Sequence, residues 1–487
     1  MTSSLGNMSS LADTLKASGG TESAGFLNDI VSHLWPNINV AGCNMVKEIV
    51  EPLLQSTTGF SSLHFIKLDL GPVPISFSNV DVIKTEKDGI KLDMNLDWDG
   101  KCDISLDGSG AIPEVGIKSV QLHGRVSVLL CPITNVIPLI GALQIAFINP
   151  PTLSLDYTGA ISFLEFDKIE NAIRDVILGV IGGMAVLPNR FLVNMAADND
   201  YFKTYVPHVG MIRITVEGAN NITGPKKSGV KKLLDKLARD VPDCYCKVAV
   251  GAEKPWSTSV IENKHSPKWN ESHDFLVMDH DQCIMVEVND KDVDEDDHIG
   301  VTLTTVKELL LNGGSQELEL KLKNQPTGAT VKLSAKFYNL APESEDFLAQ
   351  AQDEGAGLYC GVANVLIDRA GGLSGKKEDL NPSVKVTWGK ATEEPLQTAA
   401  VTYAPGTDIF SPSFNTPFRI PITRSMVSQA ESFSIILMNK KEEIGKVDVP
   451  FQDVVSAPQM TLEREFDVGS GMTVRASFSF RCTKLAQ

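Results

Sequence analysis

The chain has 487 residues, which is too many for one hydrophobic core and suits about three domains of roughly 100 to 200 residues each. A hydrophobic content of 43% excludes a disordered chain. The formal charge of −17, from 44 basic and 61 acidic residues, disfavours binding of the whole surface to nucleic acid or to anionic lipid. Any membrane binding is therefore expected to be local or switched.

The first segment, 1–23, is polar and lacks the basic start and apolar run of a signal peptide. The longest apolar stretches, 136–148 and 176–187, are interrupted by proline or glycine and fall short of the ~20 residues that span a bilayer. Eight cysteines lie at scattered spacings, as is typical of thiols in a reducing compartment. We therefore expect a soluble, cytosolic chain without a transmembrane segment.

Two amphipathic helices are predicted next. Apolar residues from Phe26 to Leu34 recur at helical spacing up to Trp35-Pro36, and the pattern repeats from Met45 to Leu53. A third helix is predicted from Ile169 to Val180.

Between these helices the apolar period changes to two. Ile90, Leu92, Met94, Leu96 and Trp98 alternate with Lys91, Asp93, Asn95, Asp97 and Asp99. Residues 120–130, 143–147 and 153–157 follow the same rule. Such strands form a sheet with one apolar face and one solvated face. The first part of the chain therefore combines helices with a sheet.

After Pro207 the sequence consists of short apolar runs separated by Gly, Pro, Asn and Asp, which predicts an all-β sandwich. An acidic linker, 341–357, separates it from a second sandwich of the same layout. His265–Asn270 corresponds to Phe410–Asn415, and Ile299-Gly300 corresponds to Ile444-Gly445. This internal repeat predicts duplicated domains.

An acidic loop, 290–300, follows a strand of the first sandwich. Calcium takes six to eight hard oxygen ligands, and clustered carboxylates repel one another in a way that a divalent cation relieves. A further carboxylate, Asp243, lies in an earlier loop that should reach the same end of the sandwich. The alternative is a solvated acidic turn.

Two motifs resemble those of C2 domains. Pro242–Val248 is similar to their Ser-Asp-Pro-Tyr-Val-Lys-Val stretch, and Ser266–Glu271 to their Asn-Pro-x-Trp-Asn-Glu. The resemblance implies calcium-dependent phospholipid binding, although Leu237 stands where the family has one more ligand Asp. It implies Asp243, Asp290, Asp292 and Asp297 as calcium ligands, with Asp240, Asp294 and Asp296 as further candidates. The second sandwich has Asn381 and Asn439 at matching places, so we expect no calcium there.

An insertion in the first sandwich, 226–240, is basic and amphipathic. Such a helix suits the headgroup region of an anionic membrane, where each Lys or Arg contributes ~1 kcal/mol. Packing of its apolar stripe on the sandwich is the alternative. The residues predicted to contact the membrane are Lys226, Lys227, Lys231, Lys232, Leu233, Leu234, Lys236 and Leu237.

The first half resembles the synaptotagmin-like, mitochondrial and lipid-binding-protein (SMP) domain of extended synaptotagmins. The matching segments include Phe26-Leu27-Asn28, Pro138–Leu143 and Val186–Arg190. The resemblance implies an α+β fold, in which a twisted sheet and helices form a half-open lipid-binding tube, followed by two all-β C2 sandwiches. It also implies an end-to-end homodimer.

The implied domains are the SMP domain at 24–205, the first C2 domain at 208–340 and the second at 358–485. If the apolar face of the sheet lines a groove for glycerolipid chains, its residues are Val126, Val128, Leu143, Ile145, Phe147, Leu153 and Leu155. A closed core is the alternative for this face.

We predict a protein that is not an enzyme, because Gly-x-Ser-x-Gly, His-Glu-x-x-His, Walker and Gly-x-Gly-x-x-Gly motifs are absent from the sequence. The predicted function is glycerophospholipid transfer and tethering at contact sites between the endoplasmic reticulum and the plasma membrane, with calcium as cofactor. A calcium-dependent adaptor without lipid carriage is the alternative. Family members carry an N-terminal hydrophobic hairpin before the SMP domain, so either the chain belongs to a longer product or another partner docks it.

Overall fold

The computed structural model describes residues 20–58, 62–85, 89–107, 114–159, 166–196, 199–223, 241–291, 296–342, 358–388, 396–428 and 432–486. Most of the predicted polar segment and most of the predicted acidic linker lie outside these ranges. The chain divides into two compact units, Met1–Asn199 and Asp200–Gln487. Within the described ranges, no helix combines the length and the apolar character needed to cross a membrane.

The first helix corrects one prediction. The two predicted helices are a single helix, α1 (Gly20–Thr58), which continues through Pro36 and Pro52. A proline inside a helix removes a hydrogen-bond donor and costs ~3 kcal/mol. Burial offsets that cost here: Trp35 is 5% exposed, packs edge-on against Trp98 at 5.8 Å, and donates its indole N–H to the carbonyl of Gly71 at 2.8 Å.

A sheet occupies the rest of the first unit, with helix α2 (Phe166–Ala185) after it. The strands are β1 (His64–Asp69), β2 (Ser76–Thr85), β3 (Gly89–Asp107), β4 (Val115–Leu130), β5 (Ala142–Phe147), β6 (Thr152–Gly159) and β7 (Phe191–Asn194). The path through the sheet is β1-β3-β4-β5-β7, with β2 paired to β3 and β6 paired to β4, and the pairs are antiparallel.

The register places the predicted apolar residues on one face, since directly opposed residues share a face. Met94 opposes Val126, which opposes Phe147, and all three are buried beside Val186. The predicted alternation is therefore confirmed for these strands.

The opposite face of the sheet is less exposed to solvent than predicted. Asp93 is only 2% exposed, and its carboxylate pairs with the Lys91 ammonium at 2.7 Å. Ser127 and Gln144 on neighbouring strands are also buried. The expectation that Lys91 and Asp93 face solvent is therefore wrong, because pairing a carboxylate with an ammonium makes its burial tolerable.

The second unit begins with α3 (Tyr201–Thr204) and contains two sandwiches. The first is built from β8 (Gly210–Asn220), β9 (Cys244–Val250), β10 (Trp256–Ser257), β11 (Glu271–Val277), β12 (Cys283–Asp290), β13 (Asp297–Thr305), α4 (Val306–Leu311), β14 (Ser315–Leu322) and β15 (Gln325–Ala341). The second is built from β16 (Tyr359–Gly371), β17 (Pro382–Trp388), β18 (Leu396–Gln397), β19 (Ser413–Thr423), α5 (Arg424–Ser428), β20 (Ser432–Asn439), β21 (Glu442–Pro450), α6 (Phe451–Val455), β22 (Thr461–Gly469) and β23 (Met472–Leu485). Short 3₁₀ turns at Lys377–Asp379 and Pro458–Met460 complete it. Each sandwich has its own apolar core.

The predicted internal repeat is visible in matching hydrogen bonds. The amide of Ile222 donates to the carbonyl of His265 at 2.9 Å in the first sandwich, and the amide of Leu373 donates to that of Phe410 at 3.3 Å in the second. The residue before each donor, Asn221 or Gly372, has a positive φ, 57° or 77°. The positive-φ position of this turn is thus occupied by Asn in one copy and by Gly in the other.

The two sandwiches are joined by backbone pairing and by a hydrogen bond from the second sandwich to a buried ion pair of the first. β15 pairs with β23 in antiparallel register from Tyr338 to Ala341. The Arg213 guanidinium binds both carboxylate oxygens of Asp274, at 2.8 and 3.1 Å, and the amide of Tyr359 donates to the same carboxylate at 2.8 Å. Because Asp274 belongs to the first sandwich and Tyr359 to the second, this bond fixes the start of the second domain against the first.

The buried His208 is expected to make the stability of this unit depend on pH. Neither of its ring nitrogens has a hydrogen-bond partner among the described residues, and burial, with a smaller effect of Arg419, lowers its pKa to about 3. An unfolded histidine titrates near 6.5. Because only the unfolded state takes up this proton between those values, stability is fully present above about pH 6.5 and is lost as pH falls towards 3.

At pH 5 this uptake is expected to cost about 2 kcal/mol relative to pH 7. The measurement is the urea midpoint of the wild-type protein and of His208→Leu at both pH values. The variant should lose less stability on acidification, with His273, whose pKa burial also lowers, contributing in both proteins. An equal loss in wild type and variant would contradict the assignment.

Candidate calcium site and lipid groove

Three of the predicted calcium ligands lie at one end of the first sandwich. Asp243 immediately precedes β9, Asp290 ends β12, and Asp297 begins β13. The register places Asp290 opposite Cys244 on one side and opposite Asp297 on the other. Strand pairing therefore brings together Asp243 and Asp290, which are 47 residues apart in the sequence.

Hydrogen bonds hold these acidic residues in place. The amide of Asp243 donates to Oδ1 of Asp290 at 2.7 Å, and the amide of Asn263 donates to Oδ1 of Asp243 at 2.7 Å. The amide of Lys291 donates to the carbonyl of Asp243 at 2.8 Å. Asp290 is only 7% exposed. The two carboxylates are thus preorganised by backbone donors.

Asp296 is held differently. Its carboxylate accepts the Tyr245 hydroxyl at 2.7 Å and pairs with the Lys291 ammonium at 3.1 Å. Burial, then the bond to Asp296, raises the pKa of Tyr245 to about 12, so the hydroxyl remains a donor at neutral pH. These contacts hold Asp296, near the end of the acidic loop, against Tyr245 on β9 and Lys291. A ligand role for Asp296 stays a prediction.

The carboxylates also act on a neighbouring thiol. Burial raises the pKa of Cys244 to about 12, and the negative charges of Asp290 and Asp243 add to this effect. Burial likewise raises the pKa of Cys246 well above its usual value. Both thiols are therefore protonated at neutral pH.

The donor chemistry of the described carboxylates suits a hard cation, since each contributes oxygen. Within the described ranges, however, no group of three or more His, Cys, Asp or Glu side chains could hold a metal ion. The predicted ligands Asp240, Asp292 and Asp294 lie outside the described residues. The same holds for the predicted membrane-contacting residues Lys226, Lys227, Lys231, Lys232, Leu233, Leu234, Lys236 and Leu237.

The second sandwich repeats the backbone arrangement with neutral side chains. The amide of Asn381 donates to Oδ1 of Asn439 at 2.8 Å, and the amide of Lys440 donates to the carbonyl of Asn381 at 3.0 Å. Asn381 and Asn439 therefore occupy the places of Asp243 and Asp290. The absence of calcium from the second sandwich stays a prediction.

The predicted groove residues share one apolar face of the first unit. Val126 opposes Phe147 and Val128 opposes Ile145, while Leu122 opposes Leu153 on the other side of β4. Val126 and Phe147 are buried, at 2% and 8% exposure. The others, Val128, Leu143, Ile145, Leu153 and Leu155, are only half-buried. Their lipid contact stays a prediction.

Comparison with known proteins agrees with this arrangement. Residues 20–196 match the family model of the Synaptotagmin-like mitochondrial-lipid-binding domain, and residues 210–322 and 361–466 match that of the C2 domain. The fold and site therefore define a protein with an SMP lipid-binding domain followed by two C2 sandwiches.

Extended synaptotagmins match most of this chain. The chain is 27% identical to human Extended synaptotagmin-2 over 96% of its own length and 51% of the relative, and 28% identical to mouse Extended synaptotagmin-1 over 92% and 41%. A solved structure of Extended-Synaptotagmin 2, containing its SMP domain and two C2 domains, superimposes with a TM-score of 0.63 at 25% identity, covering 95% of this chain and 99% of that one. The chain belongs to the extended synaptotagmin family and spans about half the length, or less, of these two relatives.

Proposed function

We propose that the protein carries glycerophospholipids in the groove of its SMP domain and delivers them to membranes that its first C2 domain binds in a calcium-dependent manner. The observation that carries the proposal is the half-buried apolar face of the sheet. Val128, Leu143 and Ile145 lie beside fully buried neighbours yet retain solvent contact. Each acyl methylene transferred from water to such a face contributes ~0.8 kcal/mol, so two chains bind strongly.

Calcium would be held by Asp243 and Asp290, with Asp292 and Asp297 completing the set. When bound, it supplies positive charge to a loop that is strongly acidic. Residues 290–300 contain six carboxylates and one Lys, net −5, while 226–239 contain six basic residues and one Asp, net +5. Neutralisation of the loop would leave the basic segment to bind anionic lipid, so the loop acts as a switch.

The proposed setting is the contact site between the endoplasmic reticulum and the plasma membrane, with the protein acting as a homodimer through its SMP domain. Membership of the extended synaptotagmin family supports both points. The activity proposed is transport and tethering, with no bond made or broken.

The direct test is the lipid content of the purified protein. Mass spectrometry of an organic extract from the folded recombinant chain should show about stoichiometric glycerophospholipid. A well-folded sample without glycerolipid would contradict carriage. That result, combined with intact calcium-dependent vesicle binding, would establish the alternative function of a calcium-dependent adaptor.

A further inference from the structure

The loop between β4 and β5 presents an exposed apolar surface that the proposed groove does not use. We call residues 132–140 the apolar tip. Ile133 is 43% exposed, Val136 73%, Ile137 88% and Leu139 52%. Large aliphatic side chains are normally buried, so four of them exposed within one short loop indicate a surface that contacts something apolar.

The electrostatics of this segment match a bilayer interior. From Val126 to Leu155 the sequence contains no Asp, Glu, Lys, Arg or His, in a chain whose charged content is 22%. Charged residues return only at Arg125 and Asp156, outside the segment. Nothing charged within it would have to be dehydrated on entering lipid.

Part of the backbone of the tip is bonded internally. The amide of Thr134 donates to the carbonyl of Leu139 at 2.8 Å, that of Leu139 to Val136 at 2.6 Å, and that of Gly141 to Pro132 at 2.8 Å. The two prolines, Pro132 and Pro138, carry no N–H. Because an unsatisfied backbone group is costly in hydrocarbon, this internal bonding lowers the cost of insertion.

We propose that the apolar tip inserts into the outer part of a lipid bilayer and connects the groove to the membrane. Stable protein interfaces use about 20 to 30 residues on each side, whereas the tip has nine and projects from a hairpin, so a bilayer is the better partner than a second copy. The half-buried Leu130 opposes the groove residue Leu143 at the end of the two strands nearest the tip, which makes the apolar surface continuous. The role in lipid exit rests on the proposed lipid carriage, but insertion itself does not.

The experiment places one tryptophan at the tip. Ile137→Trp is compared with Ile66→Trp, since Ile66 on β1 is also exposed, at 52%, but lies outside the tip. Each full-length protein is first freed of calcium on a chelating resin and is then held, in calcium-free buffer without a soluble chelator, on phosphatidylcholine vesicles through a C-terminal hexahistidine tag and a nickel-chelating lipid. Insertion is then measured independently of calcium docking and of lipid carriage. Circular dichroism confirms that both variants fold.

Lipids spin-labelled near the headgroup should quench the added fluorescence of Ile137→Trp at least threefold more than that of Ile66→Trp. Equal quenching would overturn insertion. A blue shift of Ile137→Trp that rises with protein concentration in the absence of vesicles would also overturn it, since a second copy would then cover the tip.

A second variant separates the tip from the groove. Ile137→Asp should retain its co-purified lipid but transfer it between vesicles at least tenfold more slowly. Unchanged transfer would contradict a role in lipid exit. If the Ile137→Trp protein, whose groove is unaltered, purifies without lipid but is still quenched at the tip, the proposed carriage is contradicted and insertion stands.

Discussion

Replacing both Asp243 and Asp290 by Asn is expected to abolish calcium-dependent binding to vesicles of phosphatidylserine and phosphatidylcholine. Removing two anionic ligands from a divalent cation site should weaken calcium binding by at least about 100-fold, which corresponds to roughly 2.7 kcal/mol. The measurement is vesicle co-sedimentation across a calcium titration. Calcium affinity measured by calorimetry should fall in parallel.

The second sandwich explains why this double variant should stay folded. Its Asn381 and Asn439 already make the amide-to-side-chain bond that joins Asp243 to Asp290, at 2.8 Å against 2.7 Å. An Asn oxygen at position 290 can accept the same backbone donor. The substitutions therefore change charge while retaining the hydrogen bond, so a loss of binding reports on the cation.

Asp281→Asn provides the control, because it removes a carboxylate from the same sandwich, one against the two of the double variant. Asp281 lies just before β12, at the end opposite Asp290, and its carboxylate is 3.9 Å from the Lys307 ammonium. This variant should bind vesicles as the wild type does. Calcium-dependent binding that survives in the double Asn variant would contradict the assignment of calcium to Asp243 and Asp290. Binding that persists but no longer depends on calcium would instead attribute membrane binding to the basic segment 226–240.

The sequence predicts those features that depend on periodicity and on local motifs. Alternation locates the apolar face that contains Val126 and Phe147, and the repeated motifs locate the paired turns at Asn221 and Gly372. Both signals are local: side-chain direction follows from the strand period, and a turn follows from the few residues that tolerate positive φ.

Features that depend on packing are not visible in the sequence. The pattern predicts a helix end at Pro36, because nothing in it indicates that Trp35 buries itself against Trp98. The burial of Asp93 depends on the approach of Lys91. In the sequence the apolar tip overlaps a stretch, 136–148, that is too short to span a bilayer. Its exposure is a property of the folded hairpin.

Filling the groove is expected to remove most of the co-purified lipid. In the double variant Ile145→Trp and Leu155→Trp, two half-buried side chains on the apolar face become larger while remaining apolar. If each Trp displaces about two methylenes of acyl chain, each worth ~0.8 kcal/mol, the loss is about 3 kcal/mol, on the order of 100-fold in affinity. Mass spectrometry of the purified variant measures it.

Ser154→Trp is the control on the opposite face, because Ser154 lies on β6 directly before Leu155 and is exposed. It adds the same indole to the same strand, so it should leave the lipid content unchanged. Full lipid occupancy in the double variant would mean that this face is only the edge of the hydrophobic core and that lipid binds elsewhere. Loss of lipid in the double variant alone, with unchanged thermal stability, would assign the chains to the face on which Ile145 and Leu155 lie. Calcium-dependent vesicle binding should persist in both proteins, because the acidic loop belongs to a separate sandwich with its own core.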